Sequence, residues 1–111
     1  MADYLWYKSY DPGVPHSIAP YPDKTVVDVF NESVQRMPAN RFIIYKGRDI
    51  SYAEGQKIVD NLAAALKASG VKKGDRAATM MLNCPQAVLS ILAIMKLGGI
   101  AVPLNPLYSE W

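Results

Sequence analysis

From Ala77 to Leu104 the chain carries three apolar segments separated by short polar or glycine-rich breaks. Ala77 to Leu82 has strand length. Ala87 to Leu97 is interrupted only by Ser90 and Lys96, and Ile100 to Leu104 is a second short run closed by Pro103 and Pro106. The middle segment has helix length. Asn83 is placed to cap it by accepting a backbone N–H, and Pro85 suits a first turn whose N–H has no partner. Gly98 and Gly99 are its expected stop, because a C-terminal cap uses the left-handed conformation that glycine accepts. Strand, crossover helix and strand make the βαβ unit of a parallel sheet.

Two further helices precede this unit. Thr25 and Asp28 have capping-box spacing at the head of the first. Val26, Val29, Phe30, Val34 and Met37 then recur at three- and four-residue steps, one apolar stripe expected in the core, and Pro38 ends it. Phe42-Ile43-Ile44-Tyr45 and Ile50-Ser51-Tyr52 flank Gly47-Arg48-Asp49, a hairpin with Gly47 supplying a positive φ. Ser51 and Glu54 form a second capping box. The helix it opens carries Ile58, Val59, Leu62, Ala63 and Leu66, and Gly70 is its expected stop. Gly55 in its first turn reads as a flaw of up to about 1 kcal/mol relative to alanine. Val71 to Asp75 is a polar turn.

Residues 1–24 have a different texture. They hold Tyr4, Trp6, Tyr7, Tyr10 and Tyr21 together with prolines 12, 15, 20 and 22. That proline content speaks against helix, and the ring content against a disordered linker. The expectation is an extended arm, 1–24, pinned by its rings to a surface of its own chain or a neighbour's. His16 reads as a surface loop histidine.

The helix around Ala87 to Leu97 bears Val88, Leu89, Ile91, Leu92, Ile94, Met95 and Leu97 in nearly every direction about its axis. Such a helix must be enclosed on all sides. The elements before it can cover about half, and Ser109-Glu110-Trp111 reads as a loop after a strand. The chain is therefore expected to begin something larger, an α/β domain incomplete when free.

With 111 residues, half of them hydrophobic and a fifth charged, the sequence suits one ordinary globular unit. A net charge of +2, with Lys72-Lys73 the only adjacent basic pair, gives little support for nucleic-acid binding. One cysteine and one histidine allow neither an internal disulfide nor a Cys/His metal cluster, which favours a reducing, cytoplasmic setting. The N-terminus lacks the pattern of a secretory signal. No apolar stretch approaches the roughly 20 residues of a membrane span.

The chemical inventory is thin. Neither Gly-x-Gly-x-x-Gly nor Gly-x-x-x-x-Gly-Lys-Ser/Thr occurs, so both standard phosphate cradles are missing. The helix start at Asn83-Cys84-Pro85 could accept an anion, but a structural cap explains it. Cys84 has no histidine near it in sequence, and Gly98-Gly99 is accounted for by capping and tight packing. No catalytic, cofactor-binding or metal-ligating residue is named.

Ile50-Ser51-Tyr52-Ala53-Glu54 resembles the first core motif of the adenylate-forming (AMP-binding) enzymes. Leu82-Asn83-Cys84-Pro85-Gln86, followed by Met95 to Pro106, resembles the second. Within that superfamily the chain is most similar to medium- and long-chain fatty acyl-CoA synthetases, whose N-terminal lead-in Trp6, Tyr10, Gly13-Val14-Pro15 and Ile18 resemble. Gly55 departs from the leucine usual in the family. The resemblance implies an α/β fold with helices packed on a mainly parallel sheet, and residues 25–111 as the start of the large N-terminal domain. It also implies a parent that uses ATP, Mg2+ and coenzyme A to convert a fatty acid to its thioester through an acyl-adenylate. The family's phosphate loop, adenine-packing aromatic, ribose aspartate and catalytic lysine have no counterpart in these residues, so the piece alone is expected to be inactive.

The expected partner is the remainder of the parent chain. The parent is expected in the cytoplasm, with a peripheral association at a membrane open to it. The competing reading is a non-catalytic interaction module whose aromatic arm and apolar helix hold a partner, either another protein or a second copy in a homodimer. An interfacial lipid-binding role is disfavoured, because the apolar helix lacks a Lys/Arg-rich face.

Overall fold

The computed structural model describes residues 4–108. After a 3-10 turn at Leu5–Ser9 come α1 (Val26–Arg36), the hairpin β1 (Arg41–Tyr45) and β2 (Arg48–Ser51), and α2 (Tyr52–Ala68). Then follow β3 (Arg76–Met80), α3 (Pro85–Lys96) and β4 (Ile100–Leu104). The expected fold class holds: helices pack together beside a parallel β3–β4 pair and a separate antiparallel hairpin.

Both capping boxes form. The Thr25 hydroxyl accepts from the Asp28 N–H at 3.1 Å while the Asp28 carboxylate accepts from the Thr25 N–H at 2.8 Å. Ser51 and Glu54 repeat the exchange at 3.2 and 2.9 Å. Bonding to Thr25, chiefly from its hydroxyl, lowers the Asp28 pKa, and the Ser51 backbone N–H and then its hydroxyl lower that of Glu54. In the unfolded chain both carboxyls titrate near the ordinary value of about 4. As the pH falls below that value, the unfolded chain takes up protons first, so stability present at higher pH is lost through the lowered folded values. The Asp28→Asn, Glu54→Gln double variant is expected to show a shallower loss of stability between about pH 5 and 3. Urea midpoints across that range check it, and identical acid limbs for the two proteins would contradict it.

The hairpin turn is tighter than expected. Lys46 joins Gly47 at positive φ, 48° and 78°, which gives the primed two-residue turn whose twist matches the strands. Strand β2 ends at Ser51, and Tyr52 opens α2 instead of extending the strand. The ladder slips between Arg41 and Ile43, leaving Phe42 as the extra residue of a bulge. Phe42 packs against Phe30 and Tyr52, with ring centroids 5.1 and 4.9 Å away.

Gly55 lies beneath that ring. A β-carbon there would sit 2.8 Å from Phe42 Cδ1, closer than such contacts occur. The glycine is therefore no flaw in the helix. It makes room for a ring that closes the core.

That core holds Phe30, Val34, Val59, Ala63, Leu89, Leu92 and Ala93. The α1 stripe is only partly spent in it, since Val26 and Val29 are exposed while Phe30 and Val34 are buried. Around α3, Leu89, Leu92, Ala93 and Ile94 are buried, whereas Val88 and Met95 face out. The partial cover expected of the preceding elements is what the structure shows. Lys96 and Asp60 pair α3 to α2 across this packing.

The arm needs one correction: Leu5–Ser9 coils into a 3-10 turn, because the prolines begin only at residue 12. Its rings pack mainly on one another. Tyr4 stacks on Trp6 at 4.4 Å, and Tyr7 on His16 at 3.9 Å. No residue of the turn is buried. The reading of 109–111 as a loop falls outside the described residues.

Candidate functional site

In α/β sheets, ligands gather at the carboxyl ends of the parallel strands. Here β3 and β4 run side by side with Arg76 opposite Ile100 and Met80 opposite Leu104. The segments that leave those ends wall a cleft lined by Leu82, Asn83, Pro103, Leu104, Asn105 and Tyr108.

Asn105 in this lining serves the backbone. The Asn105 side-chain oxygen accepts from the Leu107 N–H at 3.0 Å, and the Asn105 carbonyl accepts from the Tyr108 N–H at 3.2 Å. This turn follows the strand immediately.

The expected cap at Asn83 is corrected. Cys84 is the residue before the first turn of α3, and its side chain makes no capping hydrogen bond. Its extended backbone, φ −146°, with Pro85 next, starts the helix one residue later than the asparagine reading required. The Cys84 carbonyl accepts from the Ala87 N–H at 3.1 Å, and the half-buried thiol sits at the strand–helix corner. His16 is occupied in the arm, stacked on Tyr7 with Tyr10 edge-on at 5.7 Å.

The glycine pair behaves as cap and packing. Gly98 adopts φ +73°, and its N–H donates to the Met95 carbonyl at 2.9 Å. A β-carbon on Gly99 would meet Ile94 Cγ2 at 3.0 Å and the Ile94 carbonyl oxygen at 3.1 Å. The pair thus closes α3 directly onto β4. A larger hollow lies between the start of α1 and the end of α3, beside Lys73. The helix start it contains is already served by the carboxylate of Asp28.

Among the described residues, no cluster of three or more His, Cys, Asp or Glu side chains is arranged to hold a metal ion. Neither standard glycine-rich phosphate cradle occurs in the sequence. The structure places the two sequence motifs in a frame: Ser51 and Glu54 cap α2, while residues 82–106 bend β3 through α3 into β4. What the sequence reading missed is the fit of Phe42 to Gly55. Only the absence of leucine at that position hinted at it.

This arrangement of helices on a short parallel sheet is that of the N-terminal subdomain of adenylate-forming enzymes. The N-terminal subdomain of Klebsiella oxytoca NpsA superposes with a TM-score of 0.75 at 36% identity, over 78% of this chain and 23% of that one. The AMP-binding enzyme family model matches residues 30–111, and the chain belongs to that family. It is 37% identical over 105 residues to a long-chain-fatty-acid–CoA ligase of Bacillus subtilis, covering 95% of this chain and 19% of the ligase. It is 35% identical to gramicidin S synthase 2 of Brevibacillus brevis, covering 85% of this chain and 2% of the synthase. The chain thus spans about a fifth of the ligase's length and a far smaller share of the peptide synthetase's.

Proposed function

We propose that this chain is the N-terminal segment of an ATP-dependent long-chain fatty acid–CoA ligase. The whole protein would join a fatty acid to coenzyme A by way of an acyl-adenylate, with ATP, Mg2+ and coenzyme A bound by residues outside this segment. The segment's own part is mechanical. It supplies a parallel strand pair, the crossover helix between the strands, and two capped helices packed against that helix.

The observation that carries the reading is the extent of the likeness. The match to the Bacillus ligase leaves six residues of this chain outside it, so most of the aromatic arm lies within. The match to the gramicidin synthase leaves 17 residues outside. The family model itself begins only at residue 30. The longer match, 105 residues at 37% identity against 94 at 35%, favours the fatty acid branch over the peptide synthetase branch.

The test is substrate activation by the whole protein that contains this segment. ATP–pyrophosphate exchange is expected with long-chain fatty acids, followed by thioester formation when coenzyme A is added. Exchange with amino acids and none with fatty acids would overturn the assignment while leaving the family membership intact. Where the whole protein acts in the cell follows from the same proposal: a soluble cytoplasmic enzyme that meets its lipid substrate at a membrane surface. Among the described residues, no helix is long and apolar enough to cross a membrane.

A further inference from the structure

We draw no further inference here: the strongest candidate, the apolar groove between α1 and α3 lined by Val26, Val29, Phe42, Tyr52, Val88 and Met95, carries nothing because nothing in the structure shows what covers it.

Discussion

Replacing Gly55 by leucine is expected to destabilise the chain by about 3 kcal/mol, at the upper end of ordinary overpacking. The first carbon of the new side chain would already lie 2.8 Å from Phe42 Cδ1 and 3.3 Å from Cε1. The ring cannot swing freely aside, because Phe30 and Tyr52 pack on it and the bulge in β1 fixes its origin. Leu89 Cδ2, 3.9 Å from the same point, closes the other direction. Alanine is a subtler case. It gains about 1 kcal/mol of helix propensity over glycine, yet meets the same clash, so a net loss is expected for it as well.

The partner substitution separates this account from a general intolerance of the helix start. Phe42→Ala alone should cost about 3–5 kcal/mol through the cavity it leaves. Combined with Gly55→Leu, the leucine occupies part of that cavity, and the double variant should be more stable than the sum of the singles by about 1–2 kcal/mol. Urea unfolding of the four proteins gives the cycle directly. Strict additivity would mean that Phe42 and Gly55 do not meet.

Leu92→Ala carries the second large effect. Leu92 sits at the middle of α3 with Phe30, Val34, Val59, Ala63, Leu89 and Ala93 in the same cluster. Truncating it removes buried methyl groups and leaves a hole that the close-packed neighbours fill only in part, a loss of about 2–5 kcal/mol. Against a domain stability of roughly 5–15 kcal/mol, that is a large fraction. Val88 is on the same helix but 44% exposed. Val88→Ala should therefore shift the chain's urea midpoint much less than Leu92→Ala. Equal losses from the two substitutions would show that the buried side of α3 has been misplaced.

Most of the frame was legible in the residues because it rests on local rules. Thr25 with Asp28 and Ser51 with Glu54 announce their helices by spacing alone, since a capping box needs only four consecutive residues. Gly70 and Gly98 take φ +99° and +73° where the helices stop, as the cap rule requires. The parallel pairing of β3 with β4 followed from a crossover helix between two apolar runs.

What was not legible depends on contacts between distant residues. The fit of Phe42 to Gly55 joins a strand to a helix through a bulge, and a bulge leaves little mark in a sequence. The exposure of Val26 and Val29 likewise depends on which side of α1 meets α2 and α3, which periodicity within one helix does not decide. The misplaced cap at Asn83 has a local cause: Pro85 fixes the first turn, and the residue immediately before it takes the extended conformation. The stacking of the arm's rings on one another was hidden for a different reason. Ring content signals burial of some kind but not against what.

The absence of a recognisable catalytic set is the other half of the reading. Asn83, Cys84 and Asn105 follow the carboxyl ends of β3 and β4, yet Asn105 serves its own turn and the Cys84 side chain makes no capping hydrogen bond. The proposed function accordingly places the chemistry of the whole protein on residues outside this segment.

ATP–pyrophosphate exchange by the 111-residue polypeptide alone, with long-chain fatty acids and Mg2+, is the most direct measurement of that claim. The account predicts no exchange above background. Fatty-acid-dependent exchange by this polypeptide would contradict it and would require a nucleotide site among residues read here as scaffold.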